Sequence, residues 1–144
     1  MQGDTLFNCL SELRDVCRTI PGLYVEYPFP RVIELYPVLI ITANEGELTG
    51  TDEQLWDEDV RGLLLNGLVD NPMSMAAADQ LIEPIADLFK PSVGPGRNRN
   101  YQLNGKVEFC RVQRYELGAV VELGEKKYYG GNIWFKMKRR RFAV

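Results

Sequence analysis

The 144-residue chain contains no histidine. That gap removes histidine-activated nucleophiles, histidine-ligated zinc and the usual general base poised near neutral pH. An enzyme built from this sequence would have to work with carboxylates, lysine or a lone thiol. Cysteine is scarce as well: Cys9, Cys17 and Cys110 are odd in number, and no two are spaced as a redox or zinc pair. They read as small buried hydrophobes in a reducing compartment. Long apolar runs are missing, and nothing approaches the roughly 20 residues that span a bilayer. The start, Met1-Gln2-Gly3-Asp4, is polar and acidic, without the basic and apolar regions of a secretion signal. The expectation is a soluble protein made in the cytoplasm.

What is present suits one globular domain over 1–144. A chain of this length buries roughly 68% of the surface its unfolded form exposes, so it needs no disulfide or metal to fold. Charge is unevenly spread. Residues 1–60 hold twelve acidic and three basic side chains, a balance of −9, and residues 61–144 hold eight and fourteen, a balance of +6. Such polarity becomes useful when copies of a chain touch, because one end attracts the other end of a neighbour.

Periodicity sets out the elements. Leu6, Cys9, Leu10, Leu13, Val16, Cys17 and Ile20 share one side of an amphipathic helix, capped by Asp4 or Thr5 and stopped by Pro21-Gly22. Leu23 to Tyr27 is a short extended segment. Val38-Leu-Ile-Ile41, apolar on both faces, predicts a central strand over 37–43, with Pro37 at its start. Residues 44–59 form an acidic loop or hairpin tip, and Arg61 to Val69 another strand. Asp70-Asn71-Pro72 opens a second helix with the stripe Met75, Ala78, Leu81, Ile82, Ile85, Leu88 and Phe89. Pro84 predicts a kink in it.

From Ser92 to Gly105 the sequence is rich in Gly, Pro, Asn and Arg, the expected most mobile stretch. Strands follow at 106–115, 119–123 and 127–138. In the last, Tyr129, Ile133, Phe135 and Met137 alternate with Tyr128, Asn132, Trp134, Lys136 and Lys138. Gly130-Gly131 predicts a bulge or bend. The fold class is α+β: a mainly antiparallel sheet, two helices on one face, extended loops and a C-terminal β-meander.

Chemical motifs are sparse. Asp52, Glu53, Asp57, Glu58 and Asp59 lack the alternation and turn glycine of a calcium loop, and read better as a solvated or partner-facing segment. Lys136, Lys138, Arg139, Arg140 and Arg141, with Trp134 or Tyr128 for stacking, are the strongest nucleic-acid signal. Lysines on a strand also serve as edge protection, and a subunit interface or solvated face outweighs the phosphate reading. Gly94-Pro95-Gly96-Arg97 lacks the order of a phosphate-binding loop, and there is no Gly-x-Ser-x-Gly elbow.

Several segments, in order, carry a family resemblance. They are Ile20-Pro-Gly-Leu-Tyr-Val-Glu-Tyr-Pro28, Tyr36-Pro-Val-Leu-Ile-Ile41, the helix start Asp70 to Leu81, and Tyr115 to Gly131 with its glycines and tyrosines. In that order they resemble the tail terminator (tail completion) proteins of siphophages, the lambda-type minor tail protein U group. The acidic 44–59 segment and the Arg-rich terminus depart from that pattern.

The resemblance implies a non-enzymatic virion protein at the neck-proximal end of the tail, without cofactor or metal. Its subunits would close a hexameric ring on the tail tube, stop polymerisation and present a surface to the head–tail connector. DNA would pass through the lumen without sequence-specific binding, and no membrane partner is expected. The charge split predicts a contact between neighbouring subunits: Glu45, Glu47, Asp52, Glu53, Asp57, Glu58 and Asp59 of one against Lys136, Lys138, Arg139, Arg140 and Arg141 of the next. Three alternatives stand beside this. One is another neck component, the second a nucleic-acid-binding accessory protein using Arg97, Arg99 and residues 136–141, and the third a hydrolase using carboxylates.

Overall fold

The structure, a computed structural model, describes residues 5–49, 55–71, 76–90 and 100–140. Its elements run α1 (Leu6–Cys17), β1 (Tyr24–Glu26), β2 (Val38–Thr49), β3 (Leu55–Leu68), α2 (Ala76–Asp87), β4 (Val107–Leu123) and β5 (Lys126–Arg140). The fold is α+β. One five-stranded sheet has the order β1-β2-β3-β5-β4, antiparallel throughout except for the parallel pair β1–β2.

Helix α1 begins where Thr5 accepts a hydrogen bond from the Asn8 amide at 3.1 Å, satisfying one of the orphan donors of the first turn. Its apolar side, Cys9, Leu10, Leu13, Val16 and Cys17, is buried against Leu39, Ile41, Val60, Leu64, Ile133, Phe135 and Met137. From α2, Ile85 and Phe89 enter the same core, Phe89 meeting Phe135 edge-on at 5.7 Å. Both helices therefore lie on one face of the sheet, as the periodicity predicts. Helix α2 runs through Pro84 without interruption. Residues 72–75, including Met75 of the predicted stripe, lie outside the described residues.

The other face is divided. Residues 27–37 connect β1 to β2 and set Ile33 and Tyr36 over a smaller cluster of Val38, Ile40, Leu63, Leu65 and Tyr128. The rest of that face carries charged side chains.

The strands are longer and fewer than the sequence suggests. β2 and β3 both extend through the acidic segment expected to be a loop, joined by residues 50–54, which lie outside the described set. The two strands expected at 106–115 and 119–123 are one, β4. Its ladder with β5 is interrupted at Val107/Phe109, Val112/Arg114 and Glu116/Ala119. Each surplus residue is absorbed as an irregularity rather than a break, the last helped by Gly118 at φ +77°. Gly130-Gly131 is not itself a bulge. β5 keeps its register there, and the irregularities fall on its neighbours, at Leu65/Gly67 and Glu116/Ala119.

Of the expected mobile stretch, 91–99 lies outside the described residues, but Asn100–Gly105 is a tight 3-10 turn. Leu103 is fully buried there in a left-handed conformation at φ 46°. Its neighbour Asn104 donates a hydrogen bond to Glu12 of α1.

All three cysteines are buried and none is in a disulfide. Burial pushes the Cys17 thiol up to about 12 and that of Cys110 well above its ordinary value. None is expected to react with Ellman's reagent at pH 8 in the folded protein, and all three after unfolding in guanidinium. Fast labelling of the native chain would contradict the burial. The same shifts set a pH trend. Above the ordinary thiol value of 9.0 the unfolded chain loses protons that the buried thiols keep. Stability is therefore full below pH 9 and falls by about 1.4 kcal/mol per pH unit per thiol between there and the folded value.

Candidate functional site

Strand pairing decides where the charged residues go. The acidic start of β3 lies antiparallel to the basic end of β5, with Leu55 opposite Arg140, Trp56 opposite Arg139, Asp57 opposite Lys138 and Asp59 opposite Lys136. Sheet pairing thus brings Asp57, Glu58 and Asp59 beside Lys136, Lys138 and Arg139 within one chain, residues that the sequence reading set against one another across a subunit boundary. The physical reason is topological: β3 and β5 are sheet neighbours, so the opposite charges of the two segments meet without a second copy. Glu45 and Glu47 fall in β2, their backbones opposite Asp59 and Asp57. Asp52, Glu53 and Arg141 lie outside the described residues.

Alternation then splits these residues between faces. Glu58 and Arg139 point to the helix-covered side. There Arg139 Nη2 lies 3.0 Å and Nε 3.3 Å from Glu58 Oε1, and both side chains are only 8% exposed. A basic run that looks uniform in sequence therefore contains one buried structural arginine. Asp57, Asp59, Lys136 and Lys138 point to the open face. Asp57 Oδ1 is 3.9 Å from Lys138 Nζ, an ion pair without a hydrogen bond.

Three arginines join them that the sequence reading did not single out. Arg61 and Arg114 flank Trp134 from either side, and Arg111 lies opposite Lys136. The Arg114 guanidinium stacks on the Trp134 indole at 3.9 Å, and that of Arg111 sits 5.6 Å from the Phe109 ring. Simple alternation puts Arg111 and Arg114 on opposite faces. The irregularity at Gln113, between Val112 and Arg114, brings both to the same one. Only the ladder register could have revealed this.

No family model matches the chain, and no curated protein matches it. Its surfaces therefore carry the functional reading.

The second feature is a pair of unlike sheet edges. At one end, β1 and the 27–37 connection present Tyr24, Phe29, Val32 and Leu35, with Val32 65% exposed. A groove of about 120 Å³ runs between Tyr24, Val32 and Leu35 and is flanked by Glu26 and Glu34. A second, of about 420 Å³, joins Phe29 and Val32 to Lys126 and Tyr128. At the other end, β4 has no strand on its far side among the described residues, and Tyr115 and Val120 are each 57% exposed. Isolated apolar surface residues are ordinary, but a group of four at the β1 end and the pair Tyr115 and Val120 on β4 leave apolar surface at both ends of one sheet, which suits association. Among the described residues no group of three or more Cys, Asp or Glu is placed to hold a metal ion, and no helix is long and apolar enough to cross a membrane.

Proposed function

We propose that this chain is a structural, ring-forming subunit of a bacteriophage tail, a terminator that caps the tube, ends its growth and docks the head–tail connector. The observation that carries the proposal is the pair of unlike apolar edges at opposite ends of one sheet. A patch that matches itself gives an isologous dimer. Two different patches on one subunit give a head-to-tail contact, which closes into a ring when the rotation allows. The order of sequence segments resembling tail terminators supplies the biological setting, a hexamer in the virion, and agrees with the α+β sheet. The lack of histidine supports a role in assembly without catalysis. Because the acidic and basic strands are already neighbours within one chain, we assign the contact between subunits to the apolar edges.

Light scattering and negative-stain microscopy test this directly. The native protein is expected to form closed rings with a central hole, and Val32→Lys or Val120→Lys to remain monomeric. Mixed together, these two variants each keep one intact edge and are expected to stop at a heterodimer. Rings that survive both substitutions would overturn the edge assignment. A strict monomer in low and high salt, alone and with tail tube, would overturn the assembly reading.

A further inference from the structure

We propose that the open, charged half of the sheet, centred on Trp134 and Arg114, binds the phosphodiester backbone of double-stranded nucleic acid without reading its sequence. This inference does not rest on ring formation. It starts from the division of that face: residues 27–37 cover the apolar half, and the charged half carries no covering element among the described residues. Among the described side chains five cations share it, Arg61, Arg111, Arg114, Lys136 and Lys138, drawn from three adjacent strands.

The carboxylates are not evenly matched to them. Asp57 and Asp59 sit opposite Lys138 and Lys136, and Glu47 and Glu45 of β2 stand in register with them on the far side, so the β2–β3 end is acidic. The strand partners of Arg61, Arg111 and Arg114 are Thr42, Trp134 and Lys136, none of them acidic, so the β5–β4 end is basic. All three arginines are exposed. Glu116, opposite Asn132, bounds the patch toward the covered half.

The stacking decides what kind of contact this surface makes. With its guanidinium carbon 3.9 Å from the indole centroid, Arg114 covers a ring face that a base would need. Its N–H groups remain available around the plane, in the fork that suits a phosphate. A planar, pre-positioned arginine loses less freedom on binding than a free one. The face is therefore organised for phosphate oxygens rather than for bases, and it fits a duplex, whose charge lies on the outside. The chain's net charge of −3 does not oppose this, because five of its seventeen Lys and Arg share this face and set its local potential.

The magnitude follows from counterion release. Three arginines contacting three phosphates give a log–log salt slope of about −2.7, or about fortyfold weaker binding at 200 mM than at 50 mM salt. Fluorescence anisotropy with short duplexes of two unrelated sequences is expected to show equal affinities and that slope. Arg111→Ala with Arg114→Ala should reduce the slope to about −0.9, and Asp57→Asn, by releasing Lys138, whose Nζ lies 3.9 Å from the carboxylate, should steepen it by about 0.9. The gain in the last variant cannot come from misfolding. No retention at 50 mM salt would overturn the proposal, as would a slope unchanged in the double arginine variant, which would place binding elsewhere on the chain. Tighter binding of single strands with quenching of Trp134, assigned with Trp134→Phe, would also overturn it, because bases would then have displaced Arg114.

Discussion

Arg139→Met alone is expected to lower the unfolding free energy by about 3–5 kcal/mol, the usual effect of leaving one member of a buried ion pair uncompensated. Glu58 would stay in a site where its side chain is 8% exposed, facing methyl groups in place of a guanidinium. Glu58→Leu is expected to be comparably harmful. The double substitution should recover most of the loss, because two apolar side chains of similar volume suit that half-apolar site. Urea unfolding of the four proteins closes the cycle, and a coupling below about 0.5 kcal/mol would mean the pair is solvated and structurally idle. Lys138→Met, on the open face, provides the contrast. Its ion pair with Asp57 spans 3.9 Å, with side chains 32% and 25% exposed, and its removal should cost no more than about 1 kcal/mol.

The second large effect lies at Gly131→Ala. A Cβ there would collide with the carbonyl oxygen of Glu116, and one at Gly130 with that of Leu64. Both obstacles are backbone in the flanking strands and cannot swing aside as a side chain can. The expected loss is about 3 kcal/mol, at the upper end of overpacking effects, which lowers the melting temperature by roughly 10 °C in a chain of this size. Gly118 makes the control. It sits at φ +77° with open space around its α-carbon, so Gly118→Ala should cost only the left-handed penalty of about 1 kcal/mol. Equal losses at the two sites would show that conformational freedom, not close approach, explains the paired glycines.

These effects also mark how far the sequence could be read. Residues whose place depends on local periodicity were legible: the buried side of α1, the contribution of Ile85 and Phe89 from α2, and the alternation of Ile133, Phe135 and Met137 against Trp134, Lys136 and Lys138. Properties set by register were not. Asp57 and Glu58 are neighbours of like charge in sequence, yet one lies on the open face beside Lys138 and the other meets Arg139 on the helix-covered face. Arg111 and Arg114 reach one face only through the extra residue between Val112 and Arg114. Leu103 gives no sign of being core, because its stretch reads as loop and its left-handed backbone is the kind local rules assign to glycine or asparagine. The pairing of the acidic segment with β5 inside one chain was not legible for the same reason, since charge balance along a chain does not say which strands lie side by side.

The irregular outline of β4 has a consequence for growth. A straight outer strand of 17 residues would present an unbroken row of backbone donors and acceptors, the template on which identical chains stack without limit. Three interruptions divide that row into short pieces that no flat strand can match along its whole length. What such a margin still offers a neighbour is side chains, which accept only one orientation. Runaway fibres are thereby discouraged along this strand.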